Sequence, residues 1–353
     1  MFDPLYSLKV YNPDGELVAD LTGRAMKRRL QLMRNRAEVI SAEFDLDNIR
    51  DLATTIGLTA EDIFAVNRNE LRIMRGDRVM AAGEIQAIVP TIDGDTRRLA
   101  VRAVGWLDLW ASRYTDASEV YTATDAGQIA WDLIDDSQSL TNGDFGITEG
   151  EIQASVNRDR TYQYKNIKDA IIQLSEVVNG FDFEFTWDKQ FNVYYPNIGS
   201  DRPDIVFTYP GNIKRLSFLR DGTDIANKIL ARGSGFGVDV FQATASDTVS
   251  QGIYKLREKF IQFNDVTDAD TLQEHADGEL LNYAKFYDMP DIVVDGSLAP
   301  VFGAYGLGDI VRIYIGEERN IFQVINGSYR IEAMDLSIDD QDQETVRLRL
   351  MRA

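Results

Sequence analysis

The side chains of this chain that could do chemistry are nearly all carboxylates. Histidine occurs once, at His275, and cysteine not at all. That removes thiolate nucleophiles, Cys-ligated zinc, iron–sulfur clusters, disulfides, two-His metal sites and the H-E-x-x-H class. Among the acids, Asp182 and Glu184 could in principle serve glycoside hydrolysis, but they alternate on one strand face with no cleft signalled between them. Asp340, Asp342 and Glu344 have a spacing that could ligate calcium, yet the bend glycine of an EF-hand loop is missing, so they read as a solvated hairpin tip. Arg232-Gly233-Ser234-Gly235-Phe236-Gly237 is rich in glycine, but its spacing is not G-x-G-x-x-G, no helix opens after it and no G-K-(S/T) is present. It reads as a flexible hairpin or interface loop. His275, between Glu274 and Ala276, has no nucleophile partner in the pattern and reads as a structural side chain. The sequence therefore predicts no catalytic residue, no metal site and no cofactor.

Charge points to partners. With 57 acids against 37 Lys and Arg, the net charge is −20. Such a surface repels nucleic acid and anionic membranes unless a local basic patch overcomes the field. One segment has the opposite sign: Arg24, Lys27, Arg28, Arg29, Arg34 and Arg36 fall together with no acid among them. The plain reading is the exposed face of a strand and loop. The functional reading is an electrostatic docking patch for an acidic partner, either the next ring of an assembly or another copy of this chain. Nucleic acid ranks behind both, because no aromatic residues interleave the cations.

The elements that must carry these residues follow from periodicity. Residues 6 to 21 alternate around Asn12-Pro13-Asp14-Gly15, a hairpin turn. Residues 38 to 47 put Ile40, Ala42, Phe44 and Leu46 on one strand face and polar residues on the other. Residues 48 to 70 read as a loop with short helical turns, Thr59 being a possible helix start. From about Asp116 the period lengthens. Thr124 and Asp125 are candidate caps before AGQIAWDLIDDS, and Asn166 before NIKDAIIQLSEVVNG, which Asn179-Gly180 stops. FDFEFTW follows, with Phe181, Phe183, Phe185 and Trp187 on its core face. Residues 203 to 266 return to β character. A long helix, capped by Thr267 and carrying Leu272, Ala276, Leu280, Tyr283 and Tyr287 at helical spacing, ends before Pro290. The N-terminus lacks a basic segment with an apolar run, and no stretch of about 18 apolar residues occurs, so neither a secretory signal nor a membrane span is expected.

One passage occurs twice. Residues 71 to 104 and 311 to 351 each carry an (L/V)-R-I strand, a short turn with Gly and an acid (Gly76-Asp77, Gly316-Glu317), and a return strand. In each, a glycine, Gly83 or Gly327, opens an alternating strand. Each then closes with an acidic hairpin, Asp93-Gly94-Asp95 or Asp339-Asp340-Gln341-Asp342, and a final strand rich in Arg and Val or Leu. Two copies of one β-module suggest architecture before chemistry. The fold class expected is α+β, with two β-barrel-like domains formed partly from non-contiguous segments and a mixed helix-and-hairpin domain. The divisions expected are 1–115 for the first β-domain, 116–202 for the mixed domain, 203–266 with 290–353 for the second, and 267–289 for an inserted helix.

In order, RLQLMRNRAEVISAEFDLD, the (L/V)-R-I and G-E-I hairpin, the T-D-A-G helix, YKNIKDAIIQLSEVVNGFDFEF, GSLAP and GLGDIVRIYI with its SIDDQDQETVRL ending resemble tail hub proteins of long-tailed bacteriophages and tail-like particles. The resemblance covers most of the chain. It implies a non-enzymatic structural virion protein, a homotrimeric ring at the distal end of the tail tube. The ring would sit between the distal tail protein ring and the tip, fibre or tape-measure protein, adapt a sixfold tube to a threefold tip, and let DNA pass during ejection. Binding of specific nucleic acid and membrane insertion are not expected. The alternatives are a host-surface carbohydrate-binding tail module, which needs an exposed aromatic platform, and a carboxylate-dependent cell-wall hydrolase, which needs a pocketed acid of raised pKa.

Overall fold

The structure, a computed structural model, describes residues 5–235, 240–264, 266, 268–284, 287–316 and 325–353. Alternating sequence builds the first module. β1 (Tyr6–Tyr11) and β2 (Leu17–Asp20) form the expected hairpin, with Gly15 at φ 80° in its turn. β3 (Ala25–Met33) and β4 (Val39–Asp45) pair antiparallel, and Ile40, Ala42 and Phe44 of β4 are buried. The alternation runs on to Asp47 in the sequence, but the strand stops at Asp45, whose carboxylate accepts the Asn48 N–H and caps α1 (Leu46–Ile56). Leu46, Ile49 and Ala53 bury one stripe of that helix, so the segment expected as loop contains an 11-residue helix. Thr59 caps the short α2 (Ala60–Ile63), as its spacing to Asp62 predicts. β5 (Glu70–Arg75), β6 (Arg78–Asp93) and β7 (Thr96–Val104) complete the module.

The middle segment is a helix pair on a hairpin. After β8 (Glu119–Asp125), the Asp125 carboxylate accepts the N–H groups of Gly127 and Gln128 and caps α3 (Ala126–Gln138). β9 (Thr148–Ile152) and β10 (Asn157–Tyr162) lead to Asn166, which caps α4 (Ile167–Glu176). Then come β11 (Asp182–Phe185) and β12 (Gln190–Tyr194). Ile167, Ala170, Ile171 and Leu174 share a core with Phe181, Phe183, Phe185 and Phe191. Each buried Ile, Leu or Phe of this set contributes roughly 1.5–3 kcal/mol. Trp187 departs from the expected alternation. It lies beyond the end of β11 and is 41% exposed.

The second module begins with β13 (Asp201–Tyr209) and β14 (Ile213–Asp221). A small domain interrupts it: β15 (Lys228–Arg232), β16 (Gln242–Ser246), α5 (Thr248–Tyr254), β17 (Glu258–Gln262) and α6 (Ala269–Tyr283). Asp268 caps α6, accepting from Thr271 N–H at 2.8 Å; the expected cap, Thr267, lies outside the described residues. Leu272 and Ala276 pack onto this domain's sheet, with Leu280 and Tyr283 beside them. Tyr287 belongs not to the helix but to β18 (Tyr287–Asp295), and Pro290 sits inside that strand opposite Phe218. β19 (Ile310–Ile315), β20 (Ile325–Ile338) and β21 (Glu344–Arg352) end the chain.

Both modules belong to one 13-stranded sheet ordered β14-β18-β21-β20-β3-β4-β7-β6-β5-β1-β2, with β19 on β20 and β13 on β19. The expected α+β class is observed. In place of two separate barrels, the described pairings form one open path, and residues of both modules share a single core. The duplication is visible in the ladder. In the first module Arg28, Ala42, Val101 and Ile88 lie side by side across β3, β4, β7 and β6. In the second, Leu216, Ile292, Leu348 and Met334 do so across β14, β18, β21 and β20. Ladder irregularities recur at matching places too, at Ala25/Lys27 and Ile213/Arg215, and at Ile85/Ala87 and Ile331/Ala333. β6 and β20 each change partners at that second irregularity. β5 covers the first half of β6, and β19 the first half of β20.

Candidate assembly interface

The basic segment does not form one surface. Arg24 and Lys27 are exposed and make no ion pair among the described residues. The four remaining arginines hold acids distant in sequence. Arg28 is 4% exposed, pairs with Asp342 at 2.8 Å and donates to the Asp339 carbonyl. Arg29 grips both oxygens of Asp335. Arg34 donates to Glu332 at 2.9 Å and to the buried Asp182 at 2.6 Å, and Arg36 donates to Glu176 at 2.6 Å. β3 and the turn after it thus tie the first module to β20 and to the middle segment. The acids that neutralise this run lie more than a hundred residues away, which is why the local sequence shows an unbalanced patch.

The acidic hairpin between β20 and β21 is only partly the solvated tip expected. Asp340 and Gln341 are exposed, whereas Asp342 accepts the Leu5 N–H at 2.7 Å and holds Arg28. Glu344 is buried and accepts from the Tyr6 hydroxyl and from Arg75 Nε, both at 2.8 Å. Burial and the Glu344 carboxylate hold the Tyr6 phenol far above the ordinary tyrosine range. The hairpin is a clasp between modules.

The duplicated-module turns separate as well. Gly76 (φ 57°) and Asp77 form an exposed turn, with Gly76 N–H donating to Leu5 O. Gly316 precedes residues outside the described set, and its neighbour Glu317 is one of them. Gly83 faces Leu71 whereas Gly327 faces Ile313, so the two glycines stand two residues apart in equivalent register. A Cβ on Gly83 would lie 2.5 Å from the Val104 carbonyl; on Gly327 the nearest atom would be 3.5 Å away. Only Gly83 is required by a close backbone approach.

Two of the surface grooves involve the first module. One, about 550 Å³, runs over the outer face from β6 to β21 and mixes Lys27, Arg29 and Arg102 with Glu43 and Asp339. The other, about 640 Å³, lies between the first module and the middle segment and contains Trp106, Trp187, Glu84 and Arg72. The Arg72 guanidinium sits over Tyr11 at 3.9 Å and over Trp187 at 5.3 Å. The carboxyl of Glu38 is raised: burial, with a smaller push from Glu184, lifts it to about 7. It packs against Gly105 and lines neither groove. Asp182 accepts from Arg34, Asn35 and the Ile198 N–H, and Glu184 accepts from the Tyr194 hydroxyl, so the acid pair on β11 is held in structural bonds. His275 is buried and stacked 4.5 Å from the Phe263 ring. Phe236 and Gly237 of the glycine-rich loop lie outside the described residues. Among the described residues no three His, Cys, Asp or Glu side chains are grouped to hold a metal, and no helix is long and apolar enough to cross a membrane.

No protein-family model and no curated protein matches the chain in sequence. Solved structures match in fold. A tail protein from Neisseria meningitidis MC58 superposes with TM-score 0.66 at 12% identity over 98% of this chain and 96% of its own. The 43 kDa tail protein of prophage MuSo2 from Shewanella oneidensis gives 0.66 at 13% identity, covering 98% and 97%. The E. coli c3393 protein, a type VI secretion component described as structurally similar to T4 tail proteins gp27 and gp5, gives 0.51 at 11% identity, covering 94% and 74%. The chain has the fold of these tail and tail-like proteins.

Proposed function

We propose that this chain, with the fold of phage tail proteins over nearly its whole length, is a structural component of a phage tail or tail-like particle, located in the virion. Its finer role is that of a hub: a homotrimeric ring whose duplicated modules present six similar surfaces to a sixfold tube and three to the tip. The observation that carries this reading is the matching ladder of the two modules within one sheet. Residues of both modules share one core. Partners on this reading are the distal tail protein ring above and a tip, fibre or tape-measure protein below, and Arg24 and Lys27 are the cations of the basic segment left to meet an acidic neighbour. A net charge of −20 suits a channel through which DNA passes without sticking. The chain is proposed to be non-enzymatic.

Light scattering of the purified chain, followed by imaging, tests the reading. Rings of three copies with an open channel are expected. A chain that neither forms rings alone nor joins a tail ring when mixed with one would end it. Exposed Trp187 beside the second groove favours glycan binding as the competing function. The hub reading predicts no glycan-dependent change in tryptophan fluorescence.

A further inference from the structure

We infer that β14 of one copy pairs edge to edge with the distal half of β6 of a second copy, in the register that β3 and β20 use inside one chain. This deepens the hub reading by naming the contact between copies.

The intramolecular joint is the template. β3 lies on the distal half of β20, with Arg28 opposite Ile338 and Arg29 opposite Ser337. By the ladder equivalence of the two modules, β14 corresponds to β3 and the distal half of β6 to that of β20. Yet among the described residues β14 ends the sheet, and on the edge of β6 away from β7 no strand lies beyond the reach of β5. The chain therefore closes one of two equivalent joints and leaves both halves of the other open. Transferred to the open joint, the register sets Leu216 opposite Ile92 and Ser217 opposite Thr91.

The side chains at the open joint fit each other. Ile338 is 2% exposed beside β3; its counterpart Ile92 is 67% exposed, with β7 on one side and no described strand on the other. Where the closed joint has the buried cation Arg28 facing an acidic hairpin, the open one has Leu216 on one side and the two-residue turn Gly94-Asp95 on the other. Where the closed joint has the ion pair Arg29–Asp335, the open one has Ser217 and Val89, the latter 55% exposed. At the second position charge is missing from both sides together, as complementary halves of one joint require, while at the first Leu216 replaces the cation and the facing hairpin still carries Asp93 and Asp95. A second copy is the occupant because this chain itself carries the β14 edge that matches that register.

The natural absence of cysteine makes the test direct. In the full-length double variant Thr91→Cys/Ser217→Cys, mild oxidation or a short thiol cross-linker should join copies into a ladder that stops at a closed ring, while each single variant should stop at pairs or stay single. Ile92→Asp, at a site exposed in the single chain, should leave thermal unfolding unchanged and weaken association roughly tenfold or more by placing a charge in the joint. Oligomers that form without the cross-link, and that Ile92→Asp leaves intact, would overturn this contact while leaving the hub reading standing. The cross-link in open chains that never close would uphold the contact and end the ring. A double variant that stays single at its highest soluble concentration would overturn the contact.

Discussion

At the scale of single residues, long-range charge pairs hold the modules in place, and their value depends on burial. Asp182 is 2% exposed and takes bonds from Arg34, Asn35 and Ile198. Arg34→Ala strips its cation and should cost about 3–5 kcal/mol in denaturant unfolding, because a buried carboxylate is left without its partner. Arg29→Ala, at an exposed pair, should cost under about 1 kcal/mol. Glu38 carries a pH signature. Its carboxyl is raised from 4.5 to about 7, so the folded chain favours the neutral form. The stability this confers is fully present below pH 4.5 and is lost as pH rises through about 7, a change of about 3 kcal/mol at most. Glu38→Gln should flatten that slope in thermal unfolding measured from pH 4.5 to 8 and leave the variant more stable than the parent at the alkaline end. An unchanged slope would mean that Glu38 is not the group responsible.

At the scale of elements, matching strands differ in how tightly their neighbours approach. Gly83→Ala would push a Cβ into the Val104 backbone and should destabilise by about 2 kcal/mol or more, whereas Gly327→Ala, with space around it, should stay within about 1 kcal/mol. Chemical denaturation of the two variants side by side checks this, and equal losses would refute it. Much of the element order was legible in the sequence. Turns at Asn12–Gly15, caps at Asp125 and Asn166, and the Phe181–Phe185 alternation are local signals, and local physics decided them. The helix at Leu46–Ile56 was missed because strand alternation continues without a break into its cap. The correspondence of β3 with β14 was missed for another reason: their equivalence rests on what each strand pairs with, and Arg28 and Leu216 have no resemblance as residue types. For the same reason the basic run read as a docking patch. Its acids are brought in by β20, the hairpin after it, β11 and α4, and no window of the sequence contains both.

At the scale of the whole molecule, an acidic chain must associate against its own charge. Copies at −20 repel through a screening length that shrinks from about 10 Å at 0.1 M salt to about 3 Å at 1 M. If apolar side chains such as Leu216 and Ile92 form the joint, association should tighten as salt is added. Light scattering across that range checks it, and weakening with salt would place ion pairs at the contact instead. The small domain of β15 to α6 enters between β14 and β18, where the first module has only the short turn between β3 and β4, so growth at one turn has left the strand rows undisturbed. The two halves of the open joint, β14 and the distal part of β6, are also unlike, and a copy that has bound one neighbour still offers the other half to the next. Recognition chemistry alone supplies no stopping signal. The number of subunits is then set by the angle through which each copy turns, and a substitution that flattened the joint without weakening it would convert a finite particle into a fibre. In such a molecule, loss of curvature is a failure distinct from loss of stability, one that an unfolding curve would never register.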